Sequence, residues 1–542
     1  MSKQFSRRRF VEGLSASAAF LALNKSARAA DTEVVDLPGQ GRLRGARAGS
    51  IRSFKGIPYA RGATGTFRFR APAPIQSWSG IRDATHYGAP CIQNNRANSN
   101  WHDPKPGSED CLYLNVWTPA SDSHAARPVM VWFHGGAYTS GSGGLPIYDG
   151  SALAQTADVV VVTVNHRLNI FGYLWLGDVL PDYVGDGNAG QRDLVASLRW
   201  VRANIALFGG NPNNVTIFGE SGGGGKVSAL LATPAARNLF HKAIVESGSQ
   251  SFVLTREQAA ATTLEALNAL NLGPRDAAKL LTESPARLLE ASNAVEDKKG
   301  VLAFQPVVDG DLMPHQTWSP LAPTESIDIP MIIGSTSDEL AAFLPDMREP
   351  IEDDSVARAR LRASVLSSPL SEQQFSYLFA NYRKLLPGAT RLELLVAIGT
   401  DLSMWNSAIH QAERKSAKKG AAVFMYEFAW KTPCFGGMWA IHGIELPFVF
   451  GNLVYGTAWD GTDSDALRAA ADPGNQRAIL AHQTMAAWGA FAHTGNPTTA
   501  SLAWPAYDTE KRATLMLGPS TRVVEDPNRD RRVLIHDMPA VW

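Results

Sequence analysis

Short apolar runs alternate with helically spaced ones along the first half of the chain. Residues 128–133 form a compact apolar run that ends at a glycine loop. Residues 158–165 are β-branched almost throughout, the pattern of a strand buried on both faces. From 191 to 208, Leu194, Leu198, Val201 and Ile205 recur at helical spacing. Residues 215–218 read as a strand again, and the small residues after them open into a helical stretch over 226–232. This alternation predicts an α/β fold with a mostly parallel central sheet flanked by helices. Between 256 and 289, and again between 355 and 421, the pattern turns helical with charged faces. Those stretches are expected to be insertions that cap the sheet. Residues 330–334 and 422–426 look like late strands of the same sheet, and a last amphipathic helix is expected over 476–493. With no internal repeat and no low-complexity linker, 30–542 is expected to be one elaborated domain.

Composition narrows the class without naming it. Hydrophobic residues make up 45% of 542, enough to bury a large core, and 51 basic residues balance 51 acidic ones. Nothing in that balance points to nucleic acid, an anionic membrane or a strongly charged substrate. The N-terminus changes the picture. Arg7, Arg8 and Arg9 precede an apolar small-residue stretch, and Ala27-Arg28-Ala29 follows it. That is the pattern of a twin-arginine export signal over 1–29, cleaved near Ala29, which predicts a periplasmic or secreted protein. The apolar run is too short to span a hydrocarbon core of ~30 Å, and no later segment qualifies. Three cysteines suit an exported chain with one disulfide; Cys91 and Cys111 bracket a polar loop that such a bridge closes, leaving Cys434 over. Neither C-x-x-C nor H-E-x-x-H occurs, so a metal site is not expected.

The candidate chemistry lies at Gly219-Glu220-Ser221-Gly222-Gly223, a G-x-S-x-G sequence set directly between an apolar strand and a helix. A nucleophile elbow belongs in that setting, because it strains the serine's backbone and crowds strand against helix. A serine hydroxyl needs a base to take its proton, and in this arrangement an acid and then a histidine follow it along the chain. Asp338 and Glu339 come just past the strand expected at 330–334, and composition does not choose between them. Five histidines follow, of which His442 and His493 lie in or beside loops. Backbone N–H donors for a developing oxyanion are available at Gly222 and in the stretch His134-Gly135-Gly136-Ala137.

Taken together, these stretches resemble the type-B carboxylesterase family, which also contains the cholinesterases. The resemblance is carried by 54–60 (FKGIPYA), 108–117 (SEDCLYLNVW), 134–137 (HGGA), 165–168 (NHRL), 190–193 (GQRD), 208–212 (FGGNP), 218–222 (FGESG), 338–339 (DE) and 442–451 (HGIELPFVFG), in family order. It implies an α/β-hydrolase fold with Ser221 as nucleophile, Glu339 as orienting acid and His442 as base. It implies Gly136, Ala137 and Gly222 as oxyanion donors, and Glu220 as a second buried carboxylate beside His442. By the same resemblance, Trp101 lines the mouth of the site, ten residues before Cys111 as in the cholinesterases. The chain departs from the family at Gly222, where alanine is usual, and at Leu340, where glycine is usual.

The function so implied is hydrolysis of small-molecule carboxylic esters through an acyl-enzyme, with no cofactor. A related hydrolase of amides, carbamates or polymer esters is the neighbouring alternative, and a non-catalytic binding protein the distant one. The Gly135-Gly136-Ala137 loop resembles that of members accepting bulky, even tertiary, alcohols. Gly222, lacking a methyl, is expected to widen the same region, while Tyr138 and residues 340–344, Phe343 among them, border it.

Overall fold

The computed structural model describes residues 31–94, 105–121, 125–183, 186–344, 350–364, 370–432, 437–455, 465–536 and 538. Trp101, Cys434 and the signal stretch 1–29 lie outside them. A single 13-stranded sheet runs through the described chain. Its centre is parallel, in the order Val160–Val164, Arg127–Phe133, Gly210–Glu220, Lys242–Glu246, Met331–Thr336, Val423–Phe428 and Ala513–Leu517. Antiparallel strands finish both edges, with Tyr113–Pro119 and the N-terminal strands on one side and Arg522–Glu525 on the other.

The apolar runs are continuous because each strand feeds two cores at once. Successive side chains of a strand point to opposite faces. In Arg127–Phe133, Val129, Val131 and Phe133 enter one cluster while Met130 and Trp132 enter the other. Val160, Val162 and Val164 likewise face the first cluster and Val161 the second. Helices close both faces. Ala189–Asn204 follows the expected spacing and ends in a tight turn over Ile205–Phe208. The helix Gln476–Thr494 covers the other side, its Trp488 and Phe491 inside the second core.

Both insertions are helical, as the charged periodic stretches predict. The first holds Arg256–Ala269 and Pro285–Lys299. The second holds Asp354–Ala363, Glu372–Leu385, Arg391–Thr400 and Asn406–Ala417. Their starts are set by side-chain caps: Thr255 with Gln258, Ser371 with Gln374 and Thr390 with Glu393 form reciprocal boxes. Among the described residues no helix is long and apolar enough to cross a membrane.

The expected disulfide is not formed in this structure. Cys91 and Cys111 are both buried and stand as free thiols. A hydrogen bond to Cys91, with burial behind it, lifts the Cys111 thiol well above its ordinary range. Cys91 Sγ also accepts the Leu168 N–H at 3.3 Å. The two thiols are neighbours in the interior.

Parallel strands place their carboxyl ends along one edge of the sheet. Glu220 pairs with Glu246, and Glu246 with Gly334, so the loops after these three strands emerge side by side. Ligands and reactive groups of open α/β sheets gather at such an edge.

Candidate active site

Ser221 sits at the end of Gly210–Glu220 and at the start of the helix Gly222–Leu230. Its backbone adopts φ 58° and ψ −126°. For a residue with a side chain this costs about 1–3 kcal/mol and persists only where the surroundings enforce it. Here Ser221 N–H donates to Glu246 O at 2.9 Å, and Ser221 O accepts from Gly225 N–H at 3.0 Å. The glycines are a steric requirement of the crossing. A Cβ on Gly223 would stand 2.0 Å from Phe133 O, and one on Gly248 2.1 Å from Ser221 O.

The two candidate acids part company after the strand Met331–Thr336. Glu339 is fully buried, with Oε2 hydrogen-bonded to His442 Nδ1. Its Oε1 accepts from Ser247 Oγ at 2.6 Å and from Thr336 N–H at 2.7 Å. Asp338 turns away and holds the chain just before the histidine. Its Oδ2 accepts from Ala440 N–H at 2.9 Å and from Ser337 Oγ at 2.8 Å, and its own N–H donates to Ala440 O at 3.1 Å. Leu340, the departure from the family pattern, is accommodated from across the contact. A Cβ on Gly399 would lie 2.2 Å from Leu340 Cδ2, so the facing helix makes room for the leucine with a glycine.

His442 is buried, and the helix Leu446–Phe450 anchors its loop. Phe450 meets Trp132 edge-on at 5.0 Å between ring centroids and stacks on Phe218 at 5.7 Å. Phe343 lies against the imidazole, centroid to centroid 4.8 Å. His493, the other loop-borne candidate, points its Nε2 at Ala157 O. Gly495 beside it faces Pro330 and Lys242, where two strands begin, so His493 belongs to the opposite edge of the sheet.

Around His442 the interior is unusually acidic. Glu220, Glu246, Glu339 and Glu445 are all essentially inaccessible. Glu220 Oε1 lies 3.1 Å from His442 Nε2, without the alignment of a hydrogen bond. Burial first, and then the carboxyls of Glu445, Glu339 and Glu246, push Glu220 well above the usual carboxylate range. Burial does the same to Glu445, with Glu339 and Glu246 adding to it, and lifts Glu246 to about 8. Like charges this close do not all ionise, and neutral acids are the economical solution. Glu339 differs in having hydrogen-bond partners on both oxygens.

The loop after Arg127–Phe133 completes the site. Gly136 sits at φ 82° and Ala137 at φ 51°. Gly135 comes so close that a Cβ there would lie 3.0 Å from Glu220 Oε2 and 3.4 Å from Ser221 Cβ. The N–H groups of Gly136, Ala137 and Gly222 have no acceptor among the described residues, although the loop's carbonyls are engaged. Tyr138 does not line this space. It is fully buried, its hydroxyl donates to Gln250 and its ring meets Tyr173 edge-on at 5.0 Å. The expected widening at Gly222 is also absent. A Cβ there would stand 2.1 Å from Ala137 O and 2.4 Å from Ala137 Cα, so the backbone of Ala137 fills the place of the missing methyl.

The carboxylesterase family model matches residues 31–534. The chain belongs to the carboxylesterase family. It is 40% identical to the para-nitrobenzyl esterase of Bacillus subtilis over 500 residues, covering 91% of this chain and 96% of that one. Human carboxylesterase 5A is 35% identical, over 84% of this chain and 80% of its own. Among solved structures, a thermophilic para-nitrobenzyl esterase superposes with a TM-score of 0.79 at 36% identity, covering 93% of this chain and 99% of that one. This carboxylesterase therefore has the α/β-hydrolase fold and is a carboxylic ester hydrolase.

Four residues of the carboxylesterase site carry no role in the sequence reading: Lys226, Glu246, Ser247 and Glu445. Lys226 leaves the clearest trace, as a lone charge among the small and apolar residues of 222–232. The other three lie next to strand ends or motif residues whose burial only the fold reveals.

Proposed function

We propose that this carboxylesterase cleaves small-molecule esters through an acyl-enzyme on Ser221. His442 takes the serine proton, and Ser221 Oγ attacks the ester carbonyl. The oxyanion forms against the N–H groups of Gly136, Ala137 and Gly222, and the alcohol leaves with the proton from His442. Water, activated by the same imidazole, then releases the acid. Glu339 fixes the tautomer through Nδ1 and stabilises the imidazolium. The observation that supports this reading is a strained Ser221 elbow and, at the same edge of the sheet, a His442 hydrogen-bonded to a buried Glu339. The elbow's strain supports it too, since such backbone persists where function requires it. With p-nitrophenyl acetate, rapid mixing is expected to show a burst of p-nitrophenol equal to the enzyme concentration, followed by a slower steady rate. The reading fails if no burst appears and no acyl-enzyme can be trapped even at low temperature, where acylation and deacylation are slow enough to resolve.

Export by the twin-arginine route belongs to the same reading, supported by the Arg7–Arg9 cluster and Ala27-Arg28-Ala29. The mature protein in the source cell's periplasm or medium is expected to begin at Ala30. N-terminal sequencing that returns an intact 1–29 from a cytoplasmic fraction would overturn export.

A further inference from the structure

Lys226 lies one helical turn beyond Gly222, so both face the same way from the helix Gly222–Leu230. Its side chain is fully buried. Its ammonium donates to Ala137 O at 2.8 Å and to His134 O at 2.9 Å, two carbonyls of the oxyanion loop. The Tyr138 ring flanks it at 5.2 Å, and the stacked imidazoles of His134 and His166, 4.8 Å apart, lie close by. Such a position is expensive for a cation. Burial lowers Lys226 to about 7, with only Glu220 opposing, and the first turns of a helix carry positive potential. Packing alone would be served better by an apolar side chain of the same length.

The same carbonyl explains Gly222. Ala137 O occupies the volume where a Cβ on Gly222 would be, and Lys226 holds that oxygen from the next turn. Gly222 and Lys226 thus act as one device: the first admits the loop, and the second ties it down. Ala137, at φ 51°, is in a conformation that an L-residue rarely adopts unaided. By holding the His134 and Ala137 carbonyls, Lys226 fixes both ends of the stretch whose two inner peptides carry the Gly136 and Ala137 N–H groups. We propose that Lys226 is the positioning residue of the oxyanion hole, acting through the His134 and Ala137 carbonyls, with Gly222 as its steric counterpart. The inference rests on Ser221 being the nucleophile.

The test uses Lys226→Met, which keeps the length and loses the donors, and Lys226→Gln, which restores donors without charge. Each is assayed on p-nitrophenyl acetate and titrated with trifluoroacetophenone, a ketone whose serine adduct places an oxyanion in the hole. Lys226→Met is expected to lose about 10- to 100-fold in kcat with KM within about threefold, as a misplaced catalytic group does. Its trifluoroacetophenone affinity is expected to weaken by the same factor, and Lys226→Gln to recover part of both. A folded Lys226→Met with kcat and inhibitor affinity within about twofold of the parent overturns the proposal, as does a change confined to KM. Should the methionine variant not fold, Gly222→Ala carries the test: it must displace Ala137 and show the same paired losses, and unchanged inhibitor affinity overturns the proposal. Ser221→Ala separates the two layers. An active Ser221→Ala defeats the nucleophile assignment, whereas an inactive one beside an indifferent Lys226→Met defeats only the role given to Lys226.

Discussion

Ser221→Ala and His442→Ala are each expected to lower ester turnover by about 10⁴- to 10⁶-fold, and the double variant to lose little more than either alone. The two side chains perform one proton-coupled attack, so removing either abolishes what both contribute. What survives is binding and the oxyanion donors of Gly136, Ala137 and Gly222, which neither substitution touches. Their effects on the fold should differ. Alanine at 221 keeps the elbow's hydrogen bonds to Glu246 and Gly225, which are backbone to backbone, so thermal stability should hardly move. Alanine at 442 leaves Glu339 and Glu220 facing an empty space in a buried site, which costs about 1–3 kcal/mol for an unsatisfied group. Steady-state kinetics beside a thermal melt reads both. A melt for Ser221→Ala that falls as far as that for His442→Ala would mean the serine is part of the scaffold, contrary to its proposed role.

Glu339→Gln is expected to reduce kcat by about 10²- to 10³-fold, while Asp338→Asn costs less than about tenfold. Both substitutions are isosteric, so the comparison isolates charge and hydrogen-bond polarity. Glu339 accepts from Ser247, Thr336 and His442 at once. A glutamine presents a donor to one of those donors whichever way its amide turns, and it no longer offers a full charge to an imidazolium. Asparagine at 338 can still accept from Ala440 N–H through its carbonyl, so the loop before His442 stays tied. A larger loss in kcat for Asp338→Asn than for Glu339→Gln would show that the acid has been misassigned.

The parts of the fold that could be read in advance are those governed by local pattern. The strand at Val160–Val164 declares itself because every residue is buried, whichever core it faces. The elbow declares itself because small residues must flank a serine wedged between strand and helix. By local pattern Asp338 and Glu339 are inseparable, because neighbours in a sequence share their pattern but not their direction, and only the family resemblance favours Glu339. Only the turn after Thr336 sends one to Ala440 and the other to His442. The same limit applies to His442 and His493, both beside loops: the resemblance favours His442, and the parallel strand order puts the two at opposite edges of the sheet. Leu340 and Gly399 fit against each other across 58 intervening positions, and no local window sees such a fit. Gly222 was expected to open space, since a missing methyl looks like room. In the fold, the backbone of Ala137 has moved into it, and the lysine that holds it there was invisible as anything but a stray charge.

The central claim is that the acyl group is carried by Ser221, and the most direct measurement is to find it. Enzyme mixed with p-nitrophenyl acetate is quenched in acid during the burst, digested, and the acetylated peptide sequenced by mass spectrometry. The account predicts acetyl on Ser221 alone, at close to one per active enzyme, and none in His442→Ala treated identically. Acetyl found at another serine, or at Lys226, with Ser221 unmodified while turnover proceeds, would contradict it.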